Sequence, residues 1–85
     1  MITVLFFAQV RELIGEDKLQ VPSEYEKAED LRAFLSSRGD KWALALDNDK
    51  LLVAVNQTIC PLNTLLNDGD EVAFFHRLPG VKDDR

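Results

Sequence analysis

The stretch ITVLFF, from Ile2 to Phe7, decides how this 85-residue chain folds. Its side chains are mostly β-branched or aromatic, which favours an extended strand over a helix. Apolar side chains occupy both odd and even positions, so both faces of the strand are apolar. Since strands with two apolar faces lie in the interior of a sheet, we predict a central strand that is buried on both sides.

The segments that follow predict a turn of helix and an outer strand. Ala8–Ile14 (AQVRELI) has apolar residues at helical spacing and precedes Gly15, which predicts a short helical turn that ends there. Lys18–Val21 (KLQV) alternates polar and apolar residues as an outer strand does, and Pro22 ends it. The first predicted strand is therefore followed closely in the sequence by a second strand.

The main helix is predicted over Glu26–Arg38. Apolar residues fall on one face at spacings of three and four, namely Ala28, Leu31, Phe34 and Leu35. Carboxylates cluster near the start, where they meet the positive end of the helix dipole, and Gly39 stands where a C-cap belongs. We expect Leu31 and Leu35 to be buried against a sheet.

The second half of the chain predicts one short element and three strands. Lys41–Leu46 (KWALAL) fits either a strand or a helical turn, and we favour a short helix or turn. The strands are predicted at Leu51–Val55, Thr58–Cys60 and Glu71–Phe75, with a tight connection at Asn56-Gln57 and a turn over Asn67–Asp70. Strands and helices do not alternate regularly, which indicates an α+β fold with one sheet and a helix across one face.

Composition and charge exclude several functions. With 46% apolar and 29% charged residues, the chain is typical of one globular domain. Its net charge of −5 argues against nucleic acid as a ligand, because phosphate binding needs clustered Lys and Arg. The lone Cys60 cannot form an internal disulfide, and there is neither a leader pattern nor an apolar run near the ~18 residues of a membrane span. We expect a cytoplasmic protein without membrane contact.

The residues do not predict a self-contained catalytic centre. His76 is the sole histidine, so neither a Ser-His-Asp arrangement nor a metal site can be argued. The glycines are isolated and form no phosphate-binding loop. Cys60 lies in a strand context, where a cysteine is usually a core residue and not a nucleophile. These features favour a carrier, adaptor or regulatory subunit without a metal and without a directly bound cofactor.

Four segments extend this interpretation by resemblance. VLFFAQVREL (Val4–Leu13) is the most specific, and DKWALAL, KLLVAVNQT and DGDEVAFF follow in order as far as Phe75. Together they resemble the small, sulfur-carrying subunit of molybdopterin synthase, within the ubiquitin-like sulfur-carrier family. The DGDEV motif alone also occurs in the thiamine-pathway carrier, whereas the other segments favour the molybdenum cofactor branch.

The resemblance implies a β-grasp fold, with the first and last strands adjacent and parallel at the centre of a mixed sheet. It also implies a mechanism in which an adenylating activating enzyme uses ATP to activate a terminal Gly-Gly, which becomes a thiocarboxylate. The tail then enters the large synthase subunit and donates sulfur to a pterin precursor, and the pathway yields molybdopterin. The catalytic side chains are then expected in the large subunit, and the chain itself is a carrier.

The tail departs from that pattern. Gly80 matches the penultimate glycine of the family, but Val81 stands at the reactive position and further residues continue to Arg85. A side chain at position 81 and the residues beyond it prevent a terminal glycine thiocarboxylate, so the chain as written should be inactive as a carrier. A coding sequence for His76–Lys82 exists that, shifted by one base, reads Pro-Pro-Val-Ala-Gly-Gly and a stop, which suggests a frameshift. We expect one domain over 1–81 with a tail from about 76, and a disordered extension over 82–85.

The resemblance also suggests residues for partner binding. An exposed apolar patch is expected where the last strand leaves the sheet, with Phe75 first, then Phe7 and Ile59; the alternative is that all three are core residues. Arg11 either pairs with an acidic group of a partner or is simply solvated. A non-carrier interaction module, another sulfur carrier of the thiamine-pathway type, and an enzyme acting through Cys60 remain alternative functions.

Overall fold

The computed structural model describes residues 1–47 and 51–76, in which the chain forms five strands and three helices. In chain order these are β1 (Ile2–Phe6), α1 (Ala8–Ile14), β2 (Lys18–Val21), α2 (Ala28–Ser36), α3 (Asp40–Ala45), β3 (Leu51–Val55), β4 (Thr58–Cys60) and β5 (Glu71–His76). The uncertain segment KWALAL is helical, as favoured, because Trp42 and Ala45 both face the core from α3. No helix in these ranges is long and apolar enough to cross a bilayer.

The strands form one mixed sheet in the order β2-β1-β5-β3-β4. The central pair, β1 and β5, is parallel with Thr3 opposite Glu71 and Phe6 opposite Phe74, and the other neighbours are antiparallel. The prediction that the first and last strands lie adjacent and parallel at the centre is therefore confirmed. The arrangement is a ubiquitin-like β-grasp fold of the α+β class.

All three helices contribute to one hydrophobic core on one face of the sheet. The residues that point into it from β1 and β5 are Ile2, Val4, Phe6, Val72 and Phe74. Leu31 and Leu35 of α2 are fully buried, as predicted. Phe6 is at the centre, since its ring meets Trp42 edge-on at 5.7 Å and stacks with Phe74 at 6.5 Å between centroids.

The opposite face of the sheet is different, and here one prediction is wrong. Thr3 and Leu5 of β1 are half-buried, so the strand is central in the sheet but buried completely on one face alone. Because the three helices all pack on the other side, this second face has no helix over it in the ranges that the structure describes. An apolar pattern on both faces of a strand shows what the side chains are, but not what covers them.

The main helix is shorter than predicted at both ends. It begins at Ala28, because Lys27 is extended and pairs with Leu65, and the backbone oxygen of Glu26 accepts a hydrogen bond from the Leu66 amide. It ends at Ser36, with Ser37 as the C-cap. Gly39 is not that C-cap, since it is extended and precedes the first residue of α3.

Arg32 connects α2 to the end of α3. Its guanidinium donates to both carboxylate oxygens of Glu29, at 2.8 and 2.6 Å, and to the backbone oxygen of Leu46 at 2.8 Å. The hydrogen bonds and charge of Arg32 hold the pKa of the Glu29 carboxyl below its usual value, and those of Glu29 raise the pKa of Arg32. This pair helps to fix two helices that lie over the sheet.

Several turns use left-handed backbone. Gly15 ends α1 with a φ of 85°, as predicted, and Gly69 has a φ of 89° in the turn before β5. Asn56 and Gln57 join β3 to β4 with φ values of 51° and 71°, the pattern of a type I′ hairpin turn. The predicted tight connection at these two residues is confirmed. Ala8 also has a positive φ, of 51°.

Candidate protein-binding surface

Strand register brings a set of apolar residues together on the uncovered face of the sheet. We call this the open face, and its apolar members are Leu5, Phe7, Leu52, Ala54, Ile59, Ala73 and Phe75. One row crosses four strands, in which Leu5 lies opposite Ala73, Ala73 opposite Ala54, and Ala54 opposite Ile59. The next row pairs Phe75 with Leu52. The open face is therefore a continuous apolar surface across the centre of the sheet.

Polar residues border this surface along β2 and at the start of β1 and β5. Lys18 lies opposite Leu5, and Gln20 lies opposite Thr3, whose hydroxyl oxygen accepts a hydrogen bond of 3.0 Å from the Gln20 amide. Glu71 lies beside Thr3 on β5. An apolar centre with a polar edge is the usual composition of a protein-binding surface.

A shallow depression lies at the end of the open face where β5 ends. Its volume is about 340 Å³, and it is lined by Phe7, Ala8, Phe75 and His76. The Phe7 amide donates to the Phe74 oxygen at 3.2 Å, so the ladder between the central strands continues one residue beyond β1. Phe7 is 46% exposed although its side chain is large and aromatic. Such a depression is suited to receive an apolar side chain of another protein.

The three apolar residues predicted for partner binding lie on this face. Phe7 and Phe75 share the depression, and Ile59 lies on the edge strand β4 with 64% of its surface exposed. Leu52 and Ala54 of β3 lie between Ile59 and β5. None of the three belongs to the core cluster, which removes the alternative that they are core residues. Their role in binding remains a prediction.

Arg11 does not lie with these residues. It is exposed and lines a separate depression of about 460 Å³ at the end of α1, with Glu12, Gly15, Glu16 and Asp17. The neighbours of Arg11 in that depression are largely acidic. The structure thus leaves both interpretations of Arg11 open and does not connect it to the open face.

The remaining predicted positions give little chemistry. Gly80 and Val81 lie outside the described residues. Cys60 is half-buried and packs against the core, on the face of β4 away from Ile59. In residues 1–47 and 51–76, there is no group of three or more His, Cys, Asp or Glu side chains that could hold a metal ion.

Sequence analysis missed four members of the open face, Leu5, Leu52, Ala54 and Ala73. The signal is present in the apolar residues at alternate positions of β1, β3 and β5, but the pattern of β1 predicts burial on both faces, and the patterns of β3 and β5 predict strands without indicating which face is open. Ala54 explains part of the difficulty, since it is only 7% exposed although it lies outside the core cluster.

Comparison with known proteins shows the family of this chain. The ThiS family matches residues 4–80, which is nearly the whole chain. The chain belongs to the ThiS family. Two similar relatives are the molybdopterin synthase sulfur carrier subunits of Haemophilus influenzae, which is 54% identical, and Escherichia coli, which is 52% identical. Each match covers 80 residues, 94% of this chain and 99% of the relative.

Solved structures of similar proteins have the same fold. A complex of subunits 1 and 2 of molybdopterin-converting factor from Helicobacter pylori contains a chain that matches with a TM-score of 0.64 and 23% identity, over 94% of this chain and 97% of that one. The small archaeal modifier protein SAMP1 of Haloferax volcanii matches with a TM-score of 0.67 and 22% identity, over 94% and 98%. At these identities, the matches support the β-grasp fold of this ThiS family member and not its activity.

Proposed function

We propose that this chain is the sulfur carrier subunit of a molybdopterin synthase, and that its open face docks onto the large subunit. The observation that carries the proposal is the position of the open face. Its second row includes Phe75, which is next to the last residue of β5, and from there the chain continues into the tail. A partner bound to this face would therefore lie beside the segment that has to reach its active site.

The names of similar proteins support the same function. The Haemophilus influenzae and Escherichia coli relatives, at 54% and 52% identity, are both sulfur carrier subunits of molybdopterin synthase. The Helicobacter pylori structure is a complex of two subunits of molybdopterin-converting factor. We carry both properties to this chain as part of the proposal.

The chemistry of a carrier needs little from its own side chains. In the proposed cycle an activating enzyme uses ATP to adenylate the terminal carboxylate, and a sulfur donor converts it to a thiocarboxylate. The large subunit then uses this sulfur to form molybdopterin and supplies the catalytic side chains. A terminal glycine suits this task because it has no side chain to block attack on its carboxylate. We place the cycle in the cytoplasm.

The tail as written interrupts this cycle. Val81 occupies the position of the reactive glycine, and four more residues follow it. We propose that the sequence from His76 onward is a one-base frameshift of an ordinary carrier terminus. Sequencing the source gene across the codons for Phe75 to Lys82 tests this directly, and an unchanged reading frame would contradict it.

The experiment that tests the function compares three chains. The first is the full chain, the second ends at position 81 with Val81→Gly, and the third ends at position 81 with Val81 retained. Each is incubated with an activating enzyme, ATP and a sulfur source, and its mass is measured; the large subunit and a pterin precursor are then added and molybdopterin is assayed. We expect only the second to gain mass by exchange of one oxygen for sulfur and to support molybdopterin formation.

Each outcome distinguishes the alternatives. Sulfur loading on the full chain would overturn our interpretation of the tail. Failure of the second chain, if it is folded and bound to the large subunit, would favour a non-carrier interaction module. Sulfur transfer to thiamine synthesis instead would favour a carrier of that pathway. An enzyme acting through Cys60 is disfavoured because the thiol is half-buried against the core.

A further inference from the structure

Ala8 has a backbone conformation that its own side chain disfavours. Its φ is 51°, in the left-handed region where glycine is at ease and other residues are uncommon. It follows the last extended residue, Phe7, and it is the first residue of α1. The chain thus turns from the central strand into a helix at a single residue, and that residue is not glycine.

This corner is fixed on both sides. Before it, the Phe7 amide donates to the Phe74 oxygen at 3.2 Å. After it, the amides of Val10 and Arg11 donate to the Phe7 oxygen at 3.1 and 3.3 Å, and Val10 is fully buried in the core. The backbone of Phe7 is therefore held by hydrogen bonds on both sides. The direction in which the chain leaves Phe7 depends on the φ of Ala8.

Stability alone does not explain an alanine at this corner. Glycine would adopt the same angle without steric cost, and Ala8 is exposed, so its methyl group contributes little to the core. Residues other than glycine with this backbone conformation occur often at functional sites. Ala8 lines the depression with Phe7, Phe75 and His76, which places it at the surface where binding is proposed.

We propose that Ala8 is a positioning and size-selecting residue of the docking surface. Its restricted left-handed backbone holds Phe7 on the open face, and its small methyl group leaves the depression free for an apolar side chain of the large subunit. The inference rests on the proposed function and adds that an apolar side chain of the large subunit occupies the depression. Most side chains at position 8 would either change the corner or fill the depression.

Three substitutions separate these two roles. Ala8→Asn keeps the left-handed angle, which asparagine tolerates, but puts a polar side chain into the depression. Ala8→Gly keeps the angle accessible and the depression open, but loosens the corner. Ala8→Val opposes the angle, because β-branched residues are rarely found there. Ala33→Asn is the matched control, since Ala33 is an exposed alanine on α2.

The measurement is the dissociation constant for the purified large subunit, with a thermal melt of every variant. We expect Ala8→Asn to melt near the wild-type temperature but to bind about tenfold more weakly. We expect Ala8→Gly to melt at least as high as the wild type and to bind a few-fold more weakly, because Phe7 is less well ordered. Ala33→Asn should bind like the wild type. Wild-type affinity in a folded Ala8→Asn variant would overturn the size-selecting role.

A second measurement does not need the partner. Hydrogen exchange at the Phe7 amide, which donates to the Phe74 oxygen, should be slow in the wild type and in Ala8→Asn, and faster in Ala8→Val. Equally slow exchange in Ala8→Val would overturn the positioning role, whether or not the large subunit binds. If the wild type itself fails to bind the large subunit while the exchange rates follow this order, the proposed function fails and the positioning role of Ala8 stands.

Discussion

Replacement of Ile59 by alanine tests the open face with little disturbance of the fold. Ile59 is 64% exposed on the edge strand β4 and lies outside the core cluster, so its truncation leaves no cavity. Leu44, which is 63% exposed on α3, offers a matched control. The two residues have the same number of carbon atoms and nearly the same exposure, but Leu44 lies on the helical side of the sheet.

The expected effect follows from the exposed fraction of Ile59. Substitution by alanine removes three carbon atoms, which on complete burial contribute about 2.4 kcal/mol at ~0.8 kcal/mol each. Since 64% of the residue is still available to be buried by a partner, roughly 1.5 kcal/mol of binding free energy should be lost. This corresponds to about a tenfold increase in the dissociation constant.

Isothermal titration of each variant into the large subunit provides the assay. Ile59→Ala should raise the dissociation constant about tenfold, and Leu44→Ala should change it by less than about twofold. Both variants should melt within a few degrees of the wild type, because surface truncations rarely exceed about 0.5 kcal/mol in stability. Equal losses of affinity in the two variants, or no loss in either, would refute the assignment of the open face as the docking surface.

Three further predictions concern stability. Leu31→Ala should lower the free energy of unfolding by about 2–5 kcal/mol in urea denaturation, since Leu31 is fully buried, and a loss below about 1 kcal/mol would contradict that burial. Gln57→Gly should raise it by about 0.5–1 kcal/mol, because glycine suits the second position of a type I′ turn with a φ of 71°; a decrease would argue against this turn. Glu29→Gln should lower it by less than about 1 kcal/mol at pH 7, as Glu29 is partly exposed. Arg32 depresses the folded-state pKa of Glu29. The difference in free energy of unfolding between the wild type and Glu29→Gln should therefore persist above about pH 4.3 and vanish as the pH falls through that folded-state pKa. A difference that grows in acid would contradict this.

The fold was largely predictable because its strongest signals are local. Alternating apolar residues in KLQV, the spacing of Leu31 and Leu35, and the turn residues around Gly69 depend on neighbours in the sequence. The end of the main helix was predicted less well. The sequence predicts Gly39 as its C-cap, but two helices meet here, and Gly39 precedes the second one. The position of a glycine between two helical segments does not show whether it ends the first helix or precedes the second.

The open face was predicted only in part, and for a different reason. Resemblance to a family predicts Phe7, Ile59 and Phe75, whereas the apolar pattern of β1 predicts burial on both faces of that strand. A period of two shows which residues share a face of a strand, but it does not show which face the helices cover, and α2 and α3 are distant from β1 in sequence. Ala8 gave no signal at all, since nothing in an alanine indicates a left-handed backbone. That conformation follows only from the strand and the helix on either side of it.

In our proposal, stability, recognition and chemistry belong to different parts of the chain. The core between the helices and the sheet stabilises the fold, and the open face contributes little to that core although it is apolar. A continuous exposed apolar surface of this kind is typical of a protein-binding site. The proposed chemistry needs neither surface, since it takes place at the tail. Substitutions in the core should then reduce stability and binding together, those on the open face should reduce binding alone, and a change at Val81 should affect sulfur loading without altering either.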